Sequence, residues 1–465
     1  MTEHALASHP SPLTSKEDTI CAIATAPGGA LGIIRVSGPE AFNIVGSLSQ
    51  LCCNTVAANT IHYTHITDGT NVIDEVMVSV FRAPHSYTGE DSVEISCHGS
   101  SYILKKVLEL LMAQGCRMAR PGEFTQRAYL NGKLDLSQAE AVADLIASTN
   151  DATHRLAMSQ LRGGISTELS VLREKLLKLT SLLELELDFS DHEDLEFADR
   201  SELLRLATTI SGHITRLAHS FEAGQAIKQG VPVAIVGKTN VGKSTLLNRL
   251  LNEERAIVSD IHGTTRDTIE DIIDINGVTF RFIDTAGIRQ TTDQIEQIGI
   301  ERTYAAISKA RIVLWLIDEA PTEAEVTDML SRTHGRSLLA IINKADKLTS
   351  GDVSYASVLR QPHLLISAKT GQGMEALQSA IYEAANIPEW SDGTIIVTNA
   401  RHYEALCRAS DSIHNVMEGL ASHLSGDLLA EDLRQVLDIL AEITGGQITP
   451  QETLNNIFSH FCVGK

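Results

Sequence analysis

Aromatic side chains are scarce in this sequence, 4% of 465 residues, and an excess of positive charge is absent. Its 38 lysines and arginines are outnumbered by 59 aspartates and glutamates, a formal net charge of -21. A protein that binds nucleic acid mainly by neutralising phosphates is usually basic, so any nucleic-acid contact here must be local or shared with a partner. Cysteine is thin as well. The seven residues Cys21, Cys52, Cys53, Cys97, Cys116, Cys407 and Cys462 show no C-x-x-C spacing. An odd count in a long chain argues for reduced thiols rather than a disulfide framework. No apolar run approaches the length that crosses a bilayer, and the first twenty residues lack the apolar stretch of a signal peptide. These absences together predict a soluble, cytoplasmic chain with no membrane attachment. What is present is enough apolar residue, 43%, for packed cores, and a length that suggests roughly two to four domains.

One stretch organises the rest. Gly-Lys-Thr-Asn-Val-Gly-Lys-Ser, Gly237 to Ser244, follows an apolar run, Val231 to Val236, and precedes the helix-like Thr-Leu-Leu-Asn-Arg-Leu. Strand, glycine loop and helix form the context that makes G-x-x-x-x-G-K-[ST] a phosphate site. Glycines let successive N–H groups turn toward one anion, and the helix N-terminus adds its positive dipole end. Lys243 would reach the β- and γ-phosphates and Ser244 would ligate Mg²⁺.

Further motifs follow in order. Ser259-Asp-Ile-His-Gly-Thr-Thr-Arg-Asp267 places Thr265 to complete the Mg²⁺ shell. Two apolar strands, Ile269 to Ile275 and Thr279 to Ile283, flank Asn276-Gly277, a hairpin signal. The second strand leads into Asp284-Thr-Ala-Gly287, where Asp284 would hold the magnesium shell and Gly287 offer its N–H to the γ-phosphate. After another buried strand, Arg311 to Ile317, the run Leu338 to Ile342 ends in Asn343-Lys-Ala-Asp346. Asp346 can accept from N1–H and N2–H₂ of guanine, an edge that adenine does not present. Ser367-Ala-Lys369 would support the base from its O6 side. The expected nucleotide contacts are Asn240, Val241, Gly242, Lys243, Ser244 and Thr245; Ser259, Asp260, Ile261, His262, Gly263, Thr264 and Thr265; Asp284, Thr285, Ala286 and Gly287; Asn343, Lys344, Ala345 and Asp346; and Ser367, Ala368 and Lys369. This is a GTPase pattern, with each motif at a strand end.

The catalytic residues are less ordinary. Ile288 stands where many GTPases carry a water-orienting glutamine, so another group must place the attacking water. Glu296 is a candidate, although its spacing alone fits a solvent-facing helix residue. Asn240, with carbonyls from Ser259 to Thr264, can hold a monovalent cation that puts positive charge between the phosphates.

The amino-terminal region reads as α+β, with strands at Thr19 to Ala24, Leu31 to Val36, Ile73 to Phe81 and Ser92 to Ser96, and a helix from Tyr102 to Ala113. Strand alternation alone points Arg35 and Glu94 to water. Arg120 to Leu136 reads either as a surface loop with apolar anchors or as a small-molecule site. Helical segments follow at Ser137 to Ile146, Leu169 to Leu187 and Glu202 to Phe221, with an acidic solvated loop at Asp188 to Glu196. Gly224 to Gly230 suggests a hinge.

The chain resembles the tRNA modification GTPases of the MnmE, or TrmE, family. The resemblance spans Asp18 to Lys465. It rests on Ala83-Pro-His-Ser-Tyr-Thr-Gly-Glu-Asp, Cys97-His-Gly, Arg120-Pro-Gly-Glu-Phe, Leu130-Asn-Gly-Lys-Leu-Asp-Leu, Gln138-Ala-Glu-Ala and the tail Phe461-Cys-Val-Gly-Lys465, beside the GTPase motifs. It implies a multidomain α+β and α/β fold. A folate-binding and dimerisation domain would occupy 1–134, a discontinuous helical domain 135–223 and 389–465, and an inserted Ras-like P-loop GTPase domain 224–388. It also implies a homodimer that joins the flavoprotein MnmG, which carries FAD, in a heterotetramer. That complex modifies C5 of the wobble uridine of certain tRNAs, adding aminomethyl or carboxymethylaminomethyl groups. By the same resemblance, Arg35, Glu94, Lys133 and Lys465 would contact 5-formyltetrahydrofolate or another tetrahydrofolate, the source of the one-carbon unit. Glu296 would organise the water, and Asn240, Ser259, Ile261 and Thr264 would hold K⁺ beside the Mg²⁺ ligands Ser244 and Thr265. K⁺ goes with activation by dimerisation of the GTPase domains. Cys462 is a candidate for direct chemistry. The competing reading of the motifs is a ribosome-assembly or regulatory RNA-binding GTPase, for which a strongly basic RNA-binding module would be expected; no such segment occurs here.

Overall fold

The computed structural model describes residues 18–26, 28–188, 200–253, 271–283, 305–347, 359, 362–387, 395–422, 424–446, 451–459 and 461–464. They fall into two units. One comprises Met1–Ala147, Met158–Ile210 and Asp411–Lys465; the other comprises Ser148–Ala157 and Ser211–Ser410.

The first unit begins with β1 (Ile20–Ile23), β2 (Leu31–Ser37), α1 (Ala41–Leu48), β3 (Thr60–Thr67), β4 (Val72–Phe81), β5 (Ser92–His98), α2 (Ser101–Ala113) and β6 (Arg117–Met118). The sheet order is β3-β4-β5-β2-β1-β6, antiparallel except for the β1–β6 pair. Alternation decides its two faces. Ile34, Val36, Val78, Val80, Val93 and Ile95 are buried in one cluster with α1 and α2. The register sets Arg35 opposite Glu94, Glu94 opposite Ser79 and Ser79 opposite Ile61. The other face therefore carries Arg35 and Glu94 together with the exposed Leu31, Ile61, Tyr63 and Met77.

Residues 120–136 do not form the surface loop that sequence reading allowed. They contain α3 (Glu123–Leu130) and lead into α4 (Leu136–Ala147). Helix α3 has no broad apolar stripe, and what holds it is an ion network. Arg127 donates to Asp18 at 2.7 Å, Glu90 at 3.1 Å and Glu123 at 3.3 Å. Arg117 donates to Asp18 and Glu123 at 2.6 Å each. Phe124 beside them is fully buried with Ile20, Ala22 and Ala119. Gly122 precedes the helix at φ 67, where a Cβ would lie 2.8 Å from the Phe458 carbonyl oxygen.

Helices α5 (Asp151–Leu161), α6 (Gly164–Asp188) and α7 (Arg200–Gln229) follow. Leucines at three- and four-residue steps in α6, Leu172, Leu176, Leu179 and Leu183, are buried. That spacing forms one apolar face, and it packs against a helix introduced below, Gly426–Thr444. Gly224 does not break the helix, because α7 continues through it to Gln229; the break in the stretch Gly224 to Gly230 is Gly230, at φ 82, which joins α7 to the strand Val231–Val236. Gly224 answers to close packing instead, since a Cβ there would lie 2.1 Å from the Val397 carbonyl oxygen.

The second unit contains β7 (Val231–Val236), α8 (Lys243–Glu253), β8 (Asp271–Ile275), β9 (Val278–Phe282), β10 (Ile312–Ile317), α9 (Glu323–Arg332), β11 (Ser337–Ile342), β12 (His363–Leu365) and α10 (Met374–Ala384). The sheet order is β12-β11-β10-β7-β9-β8. Every pair is parallel except β8–β9. A central parallel strand is covered on both faces and so reads as an unbroken apolar run; all six residues of β10 are buried. The first turn of α5 docks on the β8–β9 hairpin. Ala152 N–H donates to the Gly277 carbonyl at 3.2 Å, and Asn150 Nδ2 donates to Thr279 Oγ1 at 2.6 Å. Three later helices complete the described chain: α11 (Ala400–Ala421), α12 (Gly426–Thr444) and α13 (Gln451–Ser459).

The ion network makes the first unit pH-dependent. Burial opposes ionisation of Asp18 and Glu123, but hydrogen bonds and charge from Arg117 and Arg127 outweigh it and lower both carboxyls. Depressed values stabilise the fold above the unfolded-state pKa values of about 3.9 and 4.3, and that stability is lost as pH falls through the folded-state values. Arg127→Met should cost about 3 kcal/mol, read as roughly hundred-fold faster amide exchange in β1 and α3 at neutral pH. It should also flatten the loss of structure between about pH 5 and pH 2, followed by circular dichroism.

Candidate functional site

The loop after β7 is shaped by its neighbours. Gly237 has φ 153, and a Cβ there would sit 2.3 Å from the Leu316 carbonyl oxygen. Gly242 has φ 102, and its Cβ would sit 2.3 Å from Asn343 Nδ2. Both glycines are therefore required by backbone conformation and by space. Asn240 takes φ 61, a left-handed conformation in which asparagine is enriched, and its side chain is exposed. Lys243 opens α8, and its ammonium donates to the carbonyls of Gly237 and Lys238, each at 2.7 Å. Burial lowers its pKa. Val241 is 1% exposed and belongs to the core, so its contribution to a phosphate site is its backbone rather than its side chain. Ser244 and Thr245 occupy the first turn of α8.

Asn343, 4% exposed, joins this loop to the far side of the site. Its Nδ2 donates to the Val241 carbonyl at 2.7 Å and its Oδ1 accepts from Ala368 N–H at 3.0 Å. Its own N–H donates to the Ile317 carbonyl at 2.8 Å. Ser367 is fully buried and donates through Oγ to Asp346 Oδ1 at 2.6 Å. That hydrogen bond is the leading cause that holds Asp346 below the usual carboxylate range, so the group remains an acceptor. Ala345 N–H donates to Ile366 at 2.9 Å, which fixes the turn that presents Asp346. Phosphate loop, Asn343–Asp346 and Ser367–Lys369 thus converge at the carboxyl ends of β7, β11 and β12. Ser259, Asp260, Ile261, His262, Gly263, Thr264, Thr265, Asp284, Thr285, Ala286, Gly287 and Glu296 lie outside the described residues. Of the expected metal ligands, only Ser244 for Mg²⁺ and Asn240 for K⁺ are described.

A second polar site lies in the first unit. Arg35 Nη2 and Glu94 Oε1 form an ion pair at 2.8 Å, with side chains 16% and 27% exposed. Alternation alone pointed both to water, but they face each other across β2 and β5 and are largely covered. The rings of Tyr87 and Phe124 lie 5.2 and 5.5 Å from the guanidinium carbon. Arg35 also donates to the Gly464 carbonyl at 3.3 Å. The tail reaches this place because Phe461, Phe458 and Leu454 pack with Leu136 and Ala139, and Gly122 N–H donates to the Cys462 carbonyl at 3.4 Å. Cys462 itself is exposed. A cavity of about 80 Å³ is lined by Arg35, Phe81, Tyr87, Thr88, Ser92 and Glu94. Tyr87, Thr88, Ser92 and Phe124 were not singled out as contacts from sequence; the signal available was the place of Tyr87 and Thr88 in the stretch Ala83 to Asp91, of Phe124 in Arg120 to Phe124, and of Ser92 at the start of the strand that carries Glu94. Lys133 donates to the Pro84 carbonyl at 3.0 Å and is not among the cavity's lining residues; Lys465 lies outside the described residues. A carboxylate acceptor, a guanidinium and two rings suit one end of a folate. The volume is well below the roughly 300–1,000 Å³ of a complete small-molecule site, so the rest of such a ligand would extend beyond the cavity.

A largely parallel sheet with a glycine loop after one strand and a buried Asn343 that ties this loop to the loops after two others has the architecture of a P-loop nucleotide-binding protein. Comparison with known proteins narrows the class. Residues 136–462 match the family model of the MnmE helical domain, and residues 19–133 that of the GTP-binding protein TrmE N-terminus. The chain is 56% identical over 465 residues to the tRNA modification GTPase MnmE of Bacteroides thetaiotaomicron, covering 97% of this chain and 100% of that one. It is 49% identical over 467 residues to its counterpart in Porphyromonas gingivalis, covering 97% and 98%. Among solved structures, the G domain of the T. maritima FeoB iron transporter covers 33% of this chain and 98% of its own, at 25% identity and a TM-score of 0.25. The chain belongs to the MnmE family of tRNA modification GTPases, and it is a GTP hydrolase.

The geometry of Asp346 sets a test. Asp346→Asn should lower affinity for GDP about hundred-fold, because the amide can no longer accept two hydrogen bonds from guanine. It should raise affinity for xanthosine diphosphate, whose C2 carbonyl accepts from the new amide. Titration with fluorescent analogues of both nucleotides measures the exchange.

Proposed function

We propose that this chain hydrolyses GTP to drive modification of C5 of the wobble uridine in certain tRNAs, acting in the cytoplasm as a homodimer bound to the flavoprotein MnmG. The observation that carries the tRNA part is identity above 50% along nearly the whole chain to proteins named for that activity. The hydrolytic part rests on the convergence of Lys243, Asn343, Asp346 and Ser367.

In this reading residues 1–134 bind folate and dimerise, 135–223 with 389–465 form the helical domain, and 224–388 form the GTPase domain. Asp346 selects guanine, and the backbone from Asn240 to Ser244 with Lys243 holds the phosphates. Ser244 and Thr265 would ligate Mg²⁺, with Asp284 supporting its shell. Water attacks the γ-phosphorus in line and the bond to the β-phosphate oxygen breaks. Glu296 orients that water in place of a glutamine. Asn240 with Ser259, Ile261 and Thr264 would hold K⁺, whose charge offsets that developing between the phosphates. Hydrolysis drives a conformational change that the modification requires.

In the amino-terminal region, Glu94 would accept from the pterin donors, and Arg35, Lys133 and Lys465 would attract the folate carboxylates. A bound tetrahydrofolate supplies the one-carbon unit. The apolar residues Leu31, Ile61, Tyr63 and Met77 share the sheet face with Arg35 and Glu94. Exposed apolar side chains gathered on one face favour covering by a protein surface, and a second copy of this region is the surface we infer. Cys462 lies in the tail near this site, and a direct chemical role is part of the proposal.

The deciding experiment supplies the purified chain with the flavoprotein, a tetrahydrofolate, GTP and tRNA. Modified wobble uridine should appear by mass spectrometry only when all are present; product without this chain or without GTP would overturn the reading. Turnover of GTP should rise sharply in K⁺ and little in Na⁺, since ion size sets the fit, and equal rates in the two salts would remove the cation site. Glu296→Ala should slow hydrolysis by about a hundred-fold or more with GTP affinity nearly unchanged, read by single-turnover kinetics beside nucleotide titration.

A further inference from the structure

Strand β10 ends at Ile317, which pairs with Ile342 of β11. The next residues, Asp318 and Asn343, therefore leave the sheet side by side, between the phosphate loop after β7 and the base loop after β12. Lys344 Nζ donates to Asp318 Oδ2 at 2.5 Å, with side chains 36% and 23% exposed. Lys344 also has φ 63, a left-handed conformation that is unfavourable for a long side chain, and its carbonyl accepts from Lys347 N–H at 2.9 Å. Asp318, just past the end of β10, thus anchors the ammonium of a residue two positions before Asp346. Charged groups near this pair among the described residues include Lys238 of the phosphate loop, paired with Glu325 at 2.7 Å, which with Glu319 and Asp318 favours its charged form, and Lys347 and Lys369, which act on Asp346.

We propose that Asp318 is a positioning residue for guanine: it holds Lys344 so that the lysine stem forms a fixed wall of the base site. A stem fixed before binding loses little freedom when a purine lies along it, so the ion pair acts on affinity rather than on the chemical step. Nothing in the sequence motifs demands this residue, because Asp318 belongs to none of them. The inference deepens the GTPase reading, and binding of GDP by the wild-type chain tests that reading separately.

The test uses the full chain and fluorescent GDP and IDP, the latter lacking the 2-amino group from which Asp346 would accept a hydrogen bond. Asp318→Ala should weaken both nucleotides by about five-fold, equally for the two, with kcat at saturating GTP within two-fold of wild type. Lys344→Met keeps the stem and removes the ammonium; combined with Asp318→Ala it should cost no more than the single changes, the non-additivity expected of a direct pair. Asp318→Glu should restore part of the affinity. Unchanged GDP affinity in Asp318→Ala would reduce the pair to a surface contact and overturn the proposal. So would a loss for GDP that IDP does not share, which would route the effect through Asp346 instead of the stem. Additive losses in the double variant, or a fall in melting temperature that accounts for the lost binding, would overturn it as well.

Discussion

The nucleotide site depends on one buried carboxamide. Asn343 donates to the phosphate loop through Val241 and accepts from the base loop through Ala368. A side-chain amide donates and accepts hydrogen bonds from two separate atoms held in one plane, so it can hold two loops that are far apart in sequence at one separation. The cost of leaving such a group unsatisfied once buried makes the arrangement all-or-none. The rest follows from its position. The Cβ of any larger residue at Gly242 would strike it, and Asp346, three residues on, is presented beside Ser367. Parallel pairing brings the strands' carboxyl ends to one edge, which is why motifs spread over more than a hundred residues meet there.

The amino-terminal region achieves order by different means. Its sheet has one face packed against α1 and α2, while α3 covers part of the other without much apolar area. Arg127 and Arg117 compensate by bridging Asp18, Glu90 and Glu123. Breaking one member of a partly buried ion network is costly because the remaining charges stay desolvated. The network also sets the floor beneath Arg35, since Phe124 of α3 lies against that guanidinium. The carboxyl-terminal tail then closes over the same spot, with Phe458 and Phe461 as its apolar anchors. An ion pair, two rings and a chain end meet here although none adjoins another in sequence.

How much of this was legible beforehand differed with the range of the interactions. The phosphate loop, the parallel strands and the helical repeats of α6 are local patterns, and periodicity finds them. Helix α3 was missed because its stability comes from charges contributed by β6, by Glu90 and by the segment before β1, not from an apolar stripe. Of the hinge suggested at Gly224 to Gly230, the Gly224 end lies inside α7 for a related reason. A glycine in a helix can mark flexibility or close packing, and only the Val397 carbonyl beside it distinguishes the two. The Val241 side chain is buried in the core, which leaves its backbone N–H as the group a phosphate would meet.

By itself, the order of motifs along the chain determined a guanine-nucleotide class and a phosphate loop that opens a helix, and predicted an aspartate at the base edge. Those follow from short-range spacing, because each motif is read within a few residues of a strand end. The pairing of Arg35 with Glu94, 59 residues apart, the approach of Gly464 to the same guanidinium, the salt bridge from Lys344 to Asp318 and the folding of α3 were decided only in the tertiary structure. Strand register and burial choose which charges face one another, and neither is written in the local sequence.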